Sequence, residues 1–246
     1  MNGQIHSIQS LGTLDGPGVR CVVFLQGCPL RCIYCHNPDT WNPSGGVNMT
    51  PQEVFEKIKR YRSYYGSEGG VTVSGGEPLM QSAFVTELFT LCRQSGIHTA
   101  IDTSGHGADL KGLDSLLAVT DLVLLDVKMT TEDAYRQNIG GSLSQTLQML
   151  NLLEEKNIPV WIRHVVVPGI TDDPKQLARL GAFLATLTNI QALDVLPYHI
   201  MGVSKYKELD IPYPLEGIPA ATQKQAKDAK QIILTAFWKV RRNKSE

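Results

Sequence analysis

Three observations predict an α/β fold of parallel strands, a partial, open (β/α)6 barrel of TIM-like type. Six short apolar runs recur along the 246 residues, amphipathic helical segments lie between them, and each run ends in polar or glycine-rich residues. Alternation of this kind implies parallel strands joined by right-handed crossovers. Six units fall short of the usual eight, hence the open barrel; a doubly wound sheet is the alternative.

The runs are 21–26 (CVVFLQ), 70–75 (GVTVSG), 97–102 (IHTAID), 121–128 (DLVLLDVK), 160–167 (VWIRHVVV) and 192–199 (ALDVLPYH). Their near-continuous apolar character suits strands covered on both faces. The first helix follows Thr50, with Pro51 at its first position and Thr50 and Glu53 as a capping box, and it aligns Val54, Phe55, Ile58 and Tyr61. Segment 143–156 aligns Leu143, Leu147, Leu150 and Leu153, and 174–187 aligns Leu177, Leu180, Leu184 and Leu187. A last helix near 220–239 is expected to bury Ile232, Ile233 and Phe237, while 201–219 is proline-rich, without period, and expected along the barrel's lower opening or rim.

A 42% hydrophobic chain of this length can build one large core, and a single domain over 1–246 is expected. Lys and Arg number 23 against 24 Asp and Glu, so no global field favours nucleic acid or an anionic membrane. The N-terminus lacks the apolar run of a signal peptide and no stretch is long enough to span a membrane, so a cytoplasmic protein is expected.

In parallel α/β folds ligands bind at the carboxyl ends of the strands. At or near those ends lie a cysteine loop, then SGGEP (74–78), DTSG (102–105), LDVK (125–128), Arg163 with His164 carried on the fifth strand, and PYH (197–199). Six such endings on one rim point to an active site. Cys28, Cys32 and Cys35 supply three soft thiolates, suited to zinc or to an iron–sulfur cluster. Zinc would need a fourth ligand, His36 or a distant histidine. On a four-iron cube, three thiolates leave one iron open. Cys21 and Cys92 stand far apart and are expected to be ordinary buried thiols.

CPLRCIYCHN resembles the CxxxCxxC signature of the radical S-adenosylmethionine superfamily, and SGGEP resembles its glycine-rich element. GTLDGPGVR (12–20), SGGEPL, DTSG, LDVK, WIRHVVVPG and VLPYH together resemble its glycyl-radical enzyme activating proteins, in the short form that carries one cluster. The resemblance implies a [4Fe–4S] cluster on Cys28, Cys32 and Cys35, with S-adenosylmethionine chelating the open iron. It implies reductive cleavage of that cosubstrate and hydrogen abstraction from a glycine of a partner enzyme, pyruvate formate-lyase, with a reduced flavodoxin-like protein as electron donor. Another glycyl-radical enzyme or a small molecule is the alternative substrate, and a zinc-stabilised binding module the non-catalytic one.

By the same resemblance Gly75, Gly76 and Glu77 cradle the methionyl end, and Tyr34, Cys35 and His36 flank the cluster and touch the cofactor. Asp102, Asp126, Val127, Lys128 and His199 are the remaining cofactor contacts. Lys128 can neutralise a carboxylate as a point charge, and His199 can hydrogen-bond ribose or adenine. Asp102, Thr103 and Asp126 form a hard-oxygen set able to hold a cation, or else a hydrogen-bonded pair of aspartates. The resemblance implies Na+ or K+ there, with the Leu124 carbonyl. Asp15, in a DGPG segment suited to closing over a peptide or forming a plain turn, and Arg163 are expected to face the partner's glycine loop.

Overall fold

The chain starts with a strand that its own apolar spacing conceals. Ile5, Ile8 and Leu11 fall every third residue, yet Gly3–Gly12 is a ten-residue strand, β1. Register shifts between Ile5 and Ser7, and between Gln9 and Gly12, break the two-residue period against its antiparallel neighbour β2 (Arg20–Leu25). A short strand β3 (Val47–Met49) pairs with the other edge of β1, and helix α1 (Pro51–Lys59) follows with the expected capping box at Thr50 and Glu53. This helix buries Val54, Phe55 and Ile58, but it stops before Tyr61, which is half-buried in the turn beyond.

In this computed structural model residues 1–243 are described, and they form two compact units: Met1–Leu30 with Thr40–Leu125, and Arg31–Asp39 with the chain from Asp126 onward. In the first, β4 (Gly70–Gly75) pairs in parallel with β2, β5 (His98–Thr103) with β4, and β6 (Leu122–Asp126) with β5. Val22, Val23, Val71, Val73, Ile101, Val123 and Leu124 are fully buried along these strands. Helix α2 (Ser82–Gln94) turns Phe84, Val85, Leu88, Phe89 and Cys92 inward, each large side chain contributing about 2 kcal/mol on burial. A one-turn helix, α3 (Asp114–Leu117), precedes β6.

The second unit holds α4 (Glu132–Ile139), α5 (Leu143–Glu155), β7 (Val160–Val166), α6 (Pro174–Leu184), β8 (Ile190–Pro197), α7 (Val203–Glu208) and α8 (Gln223–Asn243). Strands β7 and β8 are parallel. The buried face of α5 is Thr146, Met149, Leu150 and Leu153, rotated from the leucine stripe expected, which left Leu143 and Leu147 half-buried. On α8 the inward residues are Ala226, Ala229 and Ile233, whereas Ile232 and Phe237 are half-buried. Small residues win there because α6 and α8 pack closely: a Cβ on Gly181 would lie 2.1 Å from the Ile233 carbonyl oxygen. Segment 201–219 is not wholly irregular, since α7 occupies six of its residues. No described helix is long and apolar enough to cross a membrane.

Candidate active site

The six parallel strands predicted from the apolar runs are all present, four in the first unit and β7 and β8 in the second. In the first unit, β2 leads through left-handed Gly27 (φ 94°) into the cysteine loop. The loop's entry is held by Gly27 N–H donating to the Thr40 carbonyl at 2.7 Å and Cys28 N–H to that of Trp41 at 3.3 Å. Behind it, the Gly76 and Glu77 amides donate to the carbonyls of Leu25 and Gly27 at 2.9 and 2.8 Å. A Cβ on Gly76 would sit 2.0 Å from the Gly27 oxygen, and one on Gly75 2.4 Å from the Leu25 nitrogen. The close approach that demands these glycines is therefore to the chain's own backbone.

Glu77 is buried and turned into its own unit. Its carboxylate accepts from Thr103 Oγ1 and Ser104 Oγ at 2.5 Å each, from the Ser104 amide at 2.9 Å and from the Leu79 amide at 3.1 Å. Burial pushes this carboxyl up against the downward pull of those donors. Thr103 thus spends its hydroxyl proton on Glu77, and Asp102 accepts from Ser74 Oγ at 2.7 Å. Leu124 is fully buried on β6.

In the second unit the rest of the cysteine loop lies on the end of α4. Arg31 and Ile33 donate their amides to the Ile139 and Asn138 carbonyls at 2.8 and 2.9 Å, groups left open by the helix terminus. The Cys35 amide closes a turn on the Cys32 carbonyl at 3.0 Å. Tyr34 is buried and donates its phenol to the Lys128 carbonyl at 3.3 Å. Lys128, only 15% exposed, pairs with Asp126 at 2.8 Å. Burial alone would lower its pKa, but Asp126, with Cys32 and Tyr34, holds it well above the ordinary lysine value. Val127 between them has its amide on the Arg163 carbonyl at 2.9 Å and its carbonyl against His164 Nδ1 at 2.7 Å. Arg163 and His164 are buried in mid-strand on β7 rather than at its end.

His36 stacks on His199 with ring centroids 3.8 Å apart, and its Nε2 lies 3.0 Å from the His199 carbonyl oxygen. Burial, then His199, push His36 down to about 4. Nδ1 of His199 is buried without a hydrogen-bond partner among the described residues. Helix α7, which sequence reasoning missed, closes over this loop. Lys205 reaches Asn37 at 2.9 Å and Asp39 at 3.0 Å, and Tyr206 donates to the Cys35 carbonyl at 3.1 Å. Its six residues are too few to show a helical period.

Among the described residues no group of three or more His, Cys, Asp or Glu side chains converges as the ligands of one metal ion. A four-iron cube needs no such convergence, since each thiolate takes its own corner. The donors fit that group: none of the three thiols is in a disulfide, the Lys128 cation stands beside Cys32, and His199 Nδ1 is a buried nitrogen without a hydrogen-bond partner. Cys21 and Cys92 are fully buried, and burial raises them to about 11 and about 12, so neither is a ready thiolate.

Residues 22–181 match the Radical SAM superfamily. A pyruvate formate-lyase-activating enzyme of Listeria monocytogenes is 45% identical over 243 residues, covering 96% of this chain and 98% of the relative. The pyruvate formate-lyase 1-activating enzyme of Escherichia coli K12 is 41% identical over 233 residues, covering 94% and 95%. The crystal structure of a domain of such an activating enzyme from Bacteroides vulgatus superposes with a TM-score of 0.57 at 26% identity, over 69% of this chain and 95% of that one.

Proposed function

The chain belongs to the radical S-adenosylmethionine superfamily and, within it, to the pyruvate formate-lyase-activating enzymes, and from that premise we propose how its residues divide the work. The enzyme is an oxidoreductase that generates a glycyl radical on pyruvate formate-lyase. A [4Fe–4S] cluster and S-adenosylmethionine, when bound, supply the reductive cleavage and the adenosyl radical that takes hydrogen from the glycine. No observation favours a small-molecule substrate.

Cys28, Cys32 and Cys35 hold the cluster. The observation that carries this is the loop itself: three thiols outside any disulfide at x3 and x2 spacing, its entry tied to Thr40 and Trp41 and its remainder to the end of α4. Lys128, with its charge secured by Asp126, neutralises the cosubstrate carboxylate, and His199 Nδ1 hydrogen-bonds the nucleoside. Stacked against it, His36 fixes the ring plane. Gly75 and Gly76 present backbone to the methionyl end, and Glu77 holds the 103–104 segment in place behind them. Oxygens of Asp102, Thr103, Leu124 and Asp126 take Na+ or K+ when the cosubstrate carboxylate completes the set. Asp15 and Arg163 meet the partner's glycine loop; Arg163 is buried, so the peptide has to reach inward. A reduced flavodoxin-like protein delivers the electron, in the cytoplasm and without nucleic acid.

The test is anaerobic. Reduced protein, S-adenosylmethionine and pyruvate formate-lyase together give a glycyl doublet in electron paramagnetic resonance. Cosubstrate cleavage with no doublet would refute the partner, and iron-free protein would refute the cluster.

A further inference from the structure

Two segments of the second unit lie against each other: the end of the cysteine loop, 35–39, and the stretch from His199 into α7. They meet first at the stacked rings of His36 and His199, where His36 Nε2 donates to the His199 carbonyl. Gly202 then caps α7 against the His36 backbone, and a Cβ added there would lie 2.9 Å from the His36 Cα. One turn further, the Lys205 ammonium donates to Asn37 Oδ1 at 2.9 Å and reaches the two Asp39 carboxylate oxygens at 3.1 and 3.0 Å. Residues 202, 205 and 206 share one helical face, so even this short helix presents all of them to the loop.

Stability does not explain Lys205. Its side chain is 31% exposed and that of Asp39 27%, and a partly exposed ion pair adds little to folding. Its effect is geometric. Stacking fixes the separation of two rings better than their offset, and Tyr206 holds only the Cys35 carbonyl, ahead of the His36 ring. Lys205 holds the chain behind that ring, at Asn37 and again at Asp39. With the loop pinned on both sides, His36 has one seat on His199, and the buried Nδ1 of His199 has one direction.

We propose that Lys205 is a positioning residue for the cosubstrate: by pinning Asn37 and Asp39 it seats His36 on His199, and through that stack it aims His199 Nδ1 at the nucleoside. It touches no reacting atom. A ring aimed in advance spares the ordering cost that would otherwise fall on binding. This rests on the reading of His199 as the nucleoside contact.

The experiment is calorimetric titration of the reconstituted enzyme, its cluster oxidised and no reductant present, so that S-adenosylmethionine binds without being cleaved. Methionine, which lacks the nucleoside, is titrated alongside. In Lys205→Met the Kd for S-adenosylmethionine should rise about tenfold, the loss expected for one well-placed hydrogen bond. The Kd for methionine and the iron content should match wild type. Lys205→Arg, which keeps the charge and the reach, should recover most of the affinity. Adding Asp39→Asn to Lys205→Met should weaken binding no further, since both act through one contact. Equal weakening of methionine, or loss of iron, would show that Lys205 only secures the cluster loop and would overturn the proposal. His199→Phe keeps the stacked ring and removes Nδ1. If it raises the Kd for S-adenosylmethionine while Lys205→Met does not, the positioning role is refuted and the nucleoside contact stands. If His199→Phe leaves that Kd unchanged, the reading of His199 falls and the proposal falls with it.

Discussion

Tyr206 donates its phenolic proton to the carbonyl of Cys35 at 3.1 Å, so a short helix 171 residues further along the chain fixes the backbone of a cysteine proposed to hold the cluster. The ring is fully buried and meets Tyr213 edge-to-face at 4.9 Å. Tyr206→Phe keeps that packing and removes one hydrogen bond. It should cost about 1 kcal/mol of stability, read by thermal unfolding, and should hasten loss of iron when the reconstituted protein is challenged with a chelator. Unchanged iron retention would mean that α7 merely covers the loop.

The thiols divide into two classes by environment. Cys28→Ala, Cys32→Ala and Cys35→Ala should each abolish cosubstrate cleavage and lower the iron content. Cys92→Ala should leave both nearly intact, costing about 1 kcal/mol through the small cavity it opens in α2. Methionine release and iron analysis check this; equal loss from Cys92→Ala would contradict the assignment.

What could be read in advance follows from how local each signal is. The six parallel strands were legible because a strand covered on both faces must be apolar throughout, and the cap at Thr50 because its two partners are three residues apart. β1 was not, since its irregular register scrambles the period that would betray it. The cysteine loop announced itself by spacing alone. The fate of Glu77 did not: that its carboxylate turns to Thr103 and Ser104, 26 and 27 residues away, is a long-range fact. Arg20 escaped for the same reason, because a lone arginine at a strand start looks like a solvated charge until the fold buries it.

Glu77 accepts four hydrogen bonds, two of them from backbone amides that cannot reorient. Glu77→Gln is nearly isosteric but brings an NH2 group toward at least one of those donors. A stability loss of about 2 kcal/mol or more is expected, with faster amide exchange at Ser104. Full retention of stability would mean that the buried carboxyl is already protonated and serves as a donor itself.

His98 makes the Arg20 network sensitive to acid. Burial, and then the Arg20 cation, lower its pKa from the ordinary value, with Asp121 opposing. Neutral, its Nδ1 accepts from Nη2; protonated, it would set two cations 3.1 Å apart. A histidine depressed in the folded state takes up its proton more readily in the unfolded chain. The stability it contributes is therefore fully present above about pH 6.5, the unfolded value, and is lost as pH falls below that through the folded value. Urea midpoints measured from pH 7.5 down to 5 should fall across this window. In His98→Gln, whose side-chain oxygen can accept from Arg20 at every pH, the slope should be shallower. Equal slopes in the two proteins would place the acid sensitivity elsewhere.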